Sequence, residues 1–572
     1  MQKRWTIRKH NADAVNSLAA ELNVKPLVAA LLIARGHDTP KKALTFLNPS
    51  PEHLHEPFLM MGMRDAVDRI KLAVENKEKV LIWGDLDVDG TTGTVLLRKT
   101  FSLIGLETSY HITNRFTENR GINFGPLETA RADGFTLLVS VDTGTSNFEE
   151  VSQAKAIGMD TIICDHHEIK DDTILPPAVA LINPFHPDSE YPDDNLAGVG
   201  VAFKLAHAVL REFGLESEIP GLLKIAAIGT VADVVNLTGE NRAIVALGLI
   251  DLAKTDNWGL KALMEVADCR SDMTSMHIGF RIGPRINAAG RLEDGKAESD
   301  GTNVVNLLEA QNFADARKIA ALLDSRNRER QKVQQEVTTK AIFEAVSFPD
   351  ANFVVVAGEG WHKGVVGLAA SRVAERFHRP TIVFSLEDGI ATGSARSVKG
   401  FDLFEALGSV ADLLESFGGH TAAAGMKAKQ VNIDELRIRL DKYTDEKIPI
   451  DQRTPELMID ALVTSASLSL DLVEEFSRFE PFGAGNPKPI FVTRDFVLRE
   501  EPWVMKDKHL KLKLLGAENK PFEAVWWDGV EKSKGQTLKA NTRIELAYVA
   551  ELNTWQGNTR LQLVVEDLRA DN

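Results

Sequence analysis

The sequence predicts a multidomain α/β protein, and three observations lead to this class. The chain has 572 residues, more than one hydrophobic core usually supports. Short apolar runs alternate with helical sequence in two regions, which is typical of α/β domains. Near the C-terminus, apolar and polar residues alternate strictly, which predicts β-structure. With 44% hydrophobic and 26% charged residues, the composition is that of a globular protein.

The first 75 residues are predicted to be helical, because leucines recur at roughly helical intervals and Gly36 and Pro40 then supply a break. In the segment 76–310, three apolar runs at 79–83, 135–141 and 161–164 are predicted to be buried parallel strands. An acidic residue follows each run. Because ligand sites of open parallel sheets lie beyond the carboxyl ends of the strands, these carboxylates are expected to converge.

A long helix is predicted over 311–345, because this stretch contains neither Gly nor Pro between Asn312 and Ala345. Its polar and charged character suits a connector between domains. A second α/β segment is expected over 346–450, beginning at the apolar run 353–357. The segment 451–572 is expected to be β-rich, since 509–514 alternates strictly and 560–565 is a further strand candidate.

Composition also limits the function classes. No long uncharged apolar stretch is present, and two cysteines are too few for a disulfide framework, so a cytoplasmic protein with no membrane association is expected. The formal net charge of −16 argues against a nucleic-acid partner. This argument is weak, however, because carboxylates that hold cations present a positive surface to phosphate.

Three carboxylates follow the first predicted strand in the sequence GDLDVDG. Asp85, Asp87 and Asp89 repel one another unless a hard divalent cation binds between them. The motif imitates an EF-hand loop, but position 12 counted from Asp85 is Leu96, where a bidentate Glu belongs. A metal site is favoured over a solvated acidic turn, which the motif alone leaves possible.

Further candidate ligands follow later apolar runs. Asp165, His166 and His167 combine a carboxylate with two imidazoles, a donor set suited to manganese as well as magnesium. Asp142 and Asp233 each stand alone, and a single Asp at such a place is more often a helix cap. The order of all these features along the chain favours one metal cluster.

These motifs resemble the DHH phosphoesterase superfamily and, within it, the RecJ exonucleases. The matches are collinear from about residue 55 to the C-terminus, whereas Leu86, Thr143 and Thr145 depart from the family's usual residues. The matching sequences are GDLDVDG, VDTGTSN, CDHHE, LAGVGVAFKL, GTVADVVNLTGENR and PRINAAGRL, then WHKGVVG, GSAR and GGHTAAAG.

The resemblance implies the domain order. After the N-terminal helical segment (1–75) come a DHH catalytic domain (76–310), a connector helix (311–345), a DHH-associated substrate-binding domain (346–450) and a nucleic-acid-binding β-barrel of OB type (451–572).

The resemblance also implies the chemistry. Asp165 and His167 are expected to be catalytic, with His167 stabilising the phosphate oxygens. Two divalent cations, Mn²⁺ or Mg²⁺ about 3.5–4 Å apart, would activate water and neutralise phosphate charge. The implied metal ligands are Asp85, Asp87, Asp89, Asp142, His166 and Asp233.

Residues outside the metal cluster are implied to bind DNA. The sequence GGHTAAAG could instead be a tight helix-entry turn. The candidates for contacts with DNA and its 5′ phosphate are Arg115, Arg291, His362, Ser394, Arg396 and His420.

In the OB-like segment, alternation places Lys511 and Lys513 on one face with His509, which would give a basic surface for a single strand. Tryptophans in this segment are either stacking platforms or core residues. These are Trp503, Trp526, Trp527 and Trp555.

We therefore expect a 5′→3′ exodeoxyribonuclease specific for single-stranded DNA that releases mononucleotides in DNA repair and recombination. The resemblance further implies a monomer that works with single-strand-binding protein and a helicase. One rival is a DHH hydrolase of short oligonucleotides, cyclic dinucleotides or pyrophosphate, which would generally lack the connector and the OB-like segment. Intact ligand positions argue against a binding-only scaffold, and a metal-storage protein explains none of the nucleic-acid features.

Overall fold

The structure is a computed structural model that describes residues 3–170, 173–269, 272–288, 290–291, 300–448, 453–534, 536–555 and 557–570. The chain divides into two compact units. The N-terminal unit comprises His10–Arg326 and Ser469–Pro489. The C-terminal unit comprises Met1–Lys9, Asn327–Leu468 and Ile490–Asn572.

A five-stranded parallel sheet, called here the first sheet, forms the centre of the N-terminal unit. It contains the three strands predicted from the apolar runs. The strand order reverses between its second and third members, and such a switch point leaves a crevice beyond the carboxyl ends of the strands. In spatial order the strands are Glu107–Ile112, Lys79–Gly84, Phe135–Val141, Asp160–Cys164 and Ala180–Ile182.

Helices cover this sheet. Val88–Leu103 is buried on nearly every face, because it packs against the sheet, Gly198–Glu212 and Leu223–Ala232. The other helices of this unit are Ala12–Leu22, Pro26–Ala34, Pro40–Leu47, Met63–Glu75, Phe124–Ala132, Phe148–Ala156, Gly239–Leu252, Trp258–Val266, Ser275–His277, Gly283–Ala288, Asp300–Leu308 and Leu470–Ser477, with a π-helix at Ile278–Ile282.

The first residues of the chain are not helical. Arg4–Ile7 is a strand that pairs in parallel with Glu456–Ile459, both in the C-terminal unit. The leucine spacing that predicts helices over 1–75 begins only later, so this strand went unpredicted. Among the described residues, no single helix is long and apolar enough to cross a membrane; Ala12–Leu22 and Pro26–Ala34 pass that test only as a pair, bent by 112°.

The predicted connector helix is present as Phe313–Ala345. The division between the two units falls within it, after Arg326. The helix therefore contributes residues to both units.

The C-terminal unit contains a second five-stranded sheet. The sequence GGHTAAAG, read as a possible helix entry, instead forms the turn of a β-hairpin, in which Gly419 pairs with Ala424 and His420 N–H donates to the Ala423 carbonyl (2.9 Å). The helices of this region are Val366–Phe377, Leu403–Gly408 and Ile433–Lys447. The strands, in spatial order, are Leu414–Gly419, Ala423–Lys429, Ile390–Arg396, Thr381–Glu387 and Val354–Glu359.

The remaining strands of this unit form the OB-type barrel. A pairing of Phe491–Leu498 with His509–Leu515 closes five of the strands into a barrel, and the two short end strands lie outside this closure. In spatial order the strands are Ala461–Leu462, Phe491–Leu498, Arg543–Trp555, Asn558–Ala570, Pro521–Trp526, His509–Leu515 and Trp503–Met505, and the short helix Gly529–Lys532 follows Pro521–Trp526 in the chain.

Candidate metal centre

The acidic triplet lies at the carboxyl end of Lys79–Gly84, on the switch point of the first sheet. Asp87 is the N-cap of the following helix, and its carboxylate accepts hydrogen bonds from Asp89 N–H (2.9 Å) and Gly90 N–H (3.2 Å). This cap turns the chain so that Asp89, in the first helical turn, is buried at 1% exposure.

Backbone groups hold the Asp89 carboxylate in place. Gly198 N–H and Val199 N–H each donate to one of its oxygens at 2.7 Å, from the first turn of Gly198–Glu212. A helix N-terminus favours a negative charge. Gly198 is required by space as well, since a Cβ there would lie 2.6 Å from Asp142 Cβ.

His166 stands at the centre of three carboxylates. Its Nε2 lies 3.1 Å from Asp142 Oδ1, 3.7 Å from Asp233 Oδ2 and 3.8 Å from Asp89 Oδ2. Asp142 adopts a left-handed backbone with φ 60°, which turns the chain sharply after its strand. Asp142 and His166, which follow two neighbouring strands of the first sheet, are therefore in direct contact.

Asp233 was expected at the end of a strand, but it lies at the end of a helix. Leu223–Ala232 is a helix, and Asp233 is its C-cap rather than the end of a strand. The following residue, Val234, has φ 65°, a strained backbone for a β-branched residue. The sharp exit from the helix lies directly beside this carboxylate.

Asp165 and His167 form a separate pair beside the cluster. Asp165 Oδ1 lies 2.7 Å from His167 Nδ1, while Thr145 N–H donates to Asp165 Oδ2 at 2.9 Å. His167 is exposed and Asp165 is buried. The carboxylate therefore orients an imidazole that solvent can reach.

Three groups of side chains have donor atoms within 4.8 Å of one another: Asp85, Asp87 and Asp142; Asp89, His166 and Asp233; and Asp142, His166 and His167. In the described part of the chain, no Lys or Arg pairs with the carboxylates of these groups within 4 Å. Clustered carboxylates without a cationic partner, joined by imidazole, fit Mn²⁺ or Mg²⁺.

The pKa values of several clustered carboxyl groups are raised, as expected where positive charge is lacking. Burial, and then the charge of Asp87, raises the pKa of Asp85 to about 6. Burial and Asp87 raise the pKa of Asp233 to about 7. For Asp89, burial and the neighbouring carboxylates also raise the pKa. Without a cation, the cluster therefore holds protons that ordinary carboxylates would release.

The two histidines shift in opposite directions. The hydrogen bond with Asp165 raises the pKa of His167 to about 9. Burial, and then the charge of His167, lowers the pKa of His166. His166 is thus neutral and suited to bind a metal, whereas His167 carries a proton and suits contact with an anion.

A loop beside the cluster carries positive charge. Arg115 is exposed on it, and the charge of Arg120, which sequence analysis did not single out, opposes the rise in the Asp85 pKa. Glu118 ties the loop together: it accepts from Asn114 N–H (2.7 Å) and pairs with His111 Nε2 (3.0 Å). Two arginines are therefore available to an anion near Asp85.

The PRINAAGRL motif also approaches the acidic loop. A Cβ on Gly290 would lie 3.5 Å from Leu86 Cδ1, which places neighbouring Arg291 close to GDLDVDG. The last residue of the motif, Leu292, and Ala289 within it lie outside the described residues.

The other phosphate candidates belong to the C-terminal unit. Arg396 donates to Ser394 Oγ (3.0 Å), and a Cβ on Gly367 would meet both side chains at 3.0–3.1 Å, so WHKGVVG and GSAR adjoin. His362 Nδ1 accepts from Gly364 N–H (3.0 Å), and His420 is exposed in the hairpin turn.

On the barrel, two tryptophans are exposed, whereas the two predicted DNA-binding lysines are in ion pairs. Lys511 pairs with Glu523 (3.0 Å) and Lys513 with Glu500 (2.8 Å), so much of the predicted positive charge is compensated. Trp526 is fully buried and is a core residue, not a platform. Trp503 and Trp527 are 65% and 51% exposed, and the side chain of Trp555 lies outside the described residues.

Family models match three segments of the chain. The DHH family N-terminal domain matches residues 79–230, the DHHA1 domain residues 350–446 and the RecJ OB domain residues 459–567. The parallel sheet with its carboxylate and histidine cluster is therefore that of a DHH-family protein.

Whole-chain relatives narrow this class. The chain is 38% identical to the single-stranded-DNA-specific exonuclease RecJ of Bacillus subtilis (99% of this chain, 70% of the relative) and 32% identical to that of Salmonella typhimurium (99% and 100%). The crystal structure of Thermus thermophilus RecJ in complex with Mn²⁺ superposes with a TM-score of 0.84 at 27% identity, covering 100% of this chain and 80% of that one. The chain belongs to the RecJ family of single-stranded-DNA-specific exonucleases.

Proposed function

We propose that this protein is a metal-dependent exonuclease that degrades single-stranded DNA from the 5′ end to mononucleotides, in DNA repair and recombination. The observation that carries the proposal is the convergence of five carboxylates and two histidines at the switch point of the first sheet. The proposed substrate, single-stranded DNA, is inferred from the RecJ relatives, which match 99% of this chain.

In this proposal, two divalent cations, when bound, neutralise phosphate charge and make water acidic enough to attack near neutral pH. The protein holds the carboxylates close together, so that their negative charges can bind the cations. Asp89 is fixed in this cluster by two backbone N–H groups. The residues that would hold the cations are Asp85, Asp87, Asp89, Asp142, His166 and Asp233.

His167 has a different part in the reaction. Its proton is held by Asp165, and it presents an exposed positive charge beside the cluster. Such a group can contact a phosphate oxygen and stabilise the charge that develops during hydrolysis. No side-chain nucleophile is needed for this reaction.

The proposed strand contacts extend beyond this centre. Arg115 and Arg291 would bind phosphate on the N-terminal unit. On the C-terminal unit, Ser394, Arg396, His362 and His420 would bind the 5′-terminal phosphate, and the barrel would bind the trailing strand. We further propose that the enzyme acts in the cytoplasm as a monomer, with single-strand-binding protein and a helicase that supplies unwound ends.

The testing experiment incubates the purified protein with 5′- and 3′-labelled single- and double-stranded oligonucleotides in Mn²⁺, Mg²⁺ or EDTA. Hydrolysis is expected only with a cation and a free 5′ single-stranded end. Asp89→Ala and Asp233→Ala should each abolish it. Asp133→Ala is the matched control, because Asp133 is also the C-cap of a helix but is exposed and outside the cluster. Near-normal activity of either cluster variant would exclude this metal centre.

A further inference from the structure

A cleft in the N-terminal unit shares no lining residue with the metal centre. Its volume is about 480 Å³, within the usual range for small-molecule sites. No Asp or Glu is found among the described residues that line it, although the chain as a whole has a net charge of −16. Lys41, Lys42, His37, His53, Thr45 and Arg242 are among those that do.

The two lysines differ in their partners. Lys42 forms an ion pair with Asp38 at 2.9 Å. Lys41 is exposed, and within the described ranges it has no acidic group within 4 Å. Lys41 therefore offers an uncompensated ammonium group to a ligand in the cleft.

The two histidines supply N–H donors. His53 Nδ1 accepts a hydrogen bond from Ser50 N–H (3.1 Å), so its neutral ring carries the proton on Nε2. The His37 ring stacks on Phe46 with centroids 4.3 Å apart, and its nitrogens have no hydrogen-bond partner among the residues described here. Both rings can therefore donate to an anion.

Arg242 adds charge at the base of the cleft. Its buried guanidinium lies 3.8 Å from the Phe46 ring centroid and donates to backbone carbonyls, among them those of Phe46 and Phe479. These bonds use its donors but leave its positive charge. Burial, and then the charge of Arg242, lowers the pKa of His37, as expected in an electropositive cleft.

The cleft thus combines hydrogen-bond donors, hydroxyl groups and positive charge, which is the chemistry that binds phosphate. We propose that it binds the phosphate group of a nucleotide, either of a free mononucleotide or of one unit in a DNA strand. The assignment to a phosphate rests on the cleft itself, and only the nucleotide origin of that phosphate rests on the proposed function.

The test measures binding by calorimetry to the full-length protein in EDTA, so that nothing is hydrolysed. The probes are inorganic phosphate, 5′-dAMP, deoxyadenosine and an oligothymidylate. Lys41→Glu is compared with Lys254→Glu, which makes the same charge change at another exposed lysine without a described acidic partner. Thermal unfolding verifies that both variants are folded.

The wild type should bind phosphate and 5′-dAMP but not deoxyadenosine, and Lys41→Glu should weaken 5′-dAMP binding about tenfold, as expected for one charged hydrogen bond. If only the oligothymidylate loses affinity in Lys41→Glu, the cleft takes the phosphodiesters of a strand. If Lys41→Glu and Lys254→Glu bind every probe alike, the proposal is overturned. Because hydrolysis is not measured, this result is independent of the exonuclease proposal.

Discussion

The carboxyl group of Asp233 illustrates how a buried acid can depend on a metal. In the metal-free protein its pKa is about 7, whereas an unfolded Asp has a pKa near 4. Between these values the folded state binds more protons than the unfolded state. The free energy of unfolding of the metal-free protein should therefore decrease as pH rises from about 4 to 7 and then level off.

Asp233→Asn should make this decrease shallower, because the amide cannot ionise. We expect the variant in EDTA to unfold at a temperature a few degrees above that of the wild type at pH 7.5, with a smaller difference at pH 5. Thermal unfolding across this pH range measures the effect, and Asp133→Asn is the control. Equal pH slopes for wild type and Asp233→Asn would contradict the assignment.

Asp165 and His167 allow a second test at the same scale. His167 is protonated below about pH 9 because Asp165 accepts its hydrogen bond, and the charge is lost as pH rises through that value. In Asp165→Asn the pKa of His167 should fall, so kcat at pH 8 should decrease about 100-fold, a typical loss when one donor to the developing negative charge is removed.

The pH profile separates this role from a merely structural one. The alkaline limb of kcat should move to lower pH in Asp165→Asn. The double variant Asp165→Asn/His167→Ala should lose no more activity than His167→Ala alone, because both changes remove one interaction. An unmoved alkaline limb would argue that Asp165 only supports the fold.

At the scale of elements, the strand Ile390–Arg396 brings Ser394 and Arg396 beside Gly367. Arg396→Ala should slow cleavage from 5′-phosphorylated ends by tenfold or more and reduce the preference for a 5′ phosphate, since the proposed bidentate contact with that phosphate would be lost. Mn²⁺ affinity should not change. Arg372→Ala is the control, because Arg372 is an exposed arginine of the adjoining helix. Efficient cutting of circular single-stranded DNA would refute a terminus pocket here.

The loop that carries Arg115 and Arg120 gives a further prediction. Glu118 fixes this loop through His111 and Asn114 N–H. Glu118→Gln should leave both arginines less well positioned, raising KM for single-stranded DNA several-fold with little change in kcat. Glu128→Gln, an exposed change on the next helix, is the control. A loss confined to kcat would show that the loop does not act in substrate binding.

The elements of the catalytic sheet were predictable because buried parallel strands are short apolar runs, and all three such runs are strands. Asp233 shows the limit of that argument: the largely apolar residues before it form a ten-residue buried helix rather than a strand. The same ambiguity affected GGHTAAAG, where small residues permit a hairpin as readily as a helix entry.

The supports of the site could not be read from the sequence. Asp89 is held by N–H groups of Gly198 and Val199, which are remote in sequence and have no distinctive side chain. The glycines in LAGVGV were the only signal. Likewise, the glutamates that pair with Lys511 and Lys513 lie on other strands or loops, so alternation alone predicted a basic face whose charge is largely compensated.

At the scale of the whole molecule, the two units are built from interleaved parts of the chain. Residues 469–489 belong to the N-terminal unit, and their carbonyls accept hydrogen bonds from the buried Arg242 guanidinium. A fragment that ends at Arg326 would lose these hydrogen bonds and expose the guanidinium to water, at a net cost of about 1.5–3 kcal/mol for each hydrogen bond to a charged group.

We therefore expect the fragment 10–326 to be poorly stable alone and to gain several degrees in Tm when a peptide of residues 469–489 is added in trans. Thermal unfolding with and without the peptide measures this. A scrambled peptide of the same composition is the control. A fragment that unfolds at the same temperature in both cases would show that the inserted segment is dispensable.

The inserted segment also affects how the protein is made. A ribosome that has completed residues 10–326 has supplied the metal ligands and the Phe46 carbonyl that accepts from Arg242, but not the carbonyls of residues 478–480 that accept from the same guanidinium. These arrive only with residues 469–489, on the order of ten seconds later at ordinary rates of synthesis. Until then the Arg242 guanidinium lacks its hydrogen bonds to residues 478–480 and is open to water on that side, so the N-terminal unit is expected to finish folding only after most of the chain has been made.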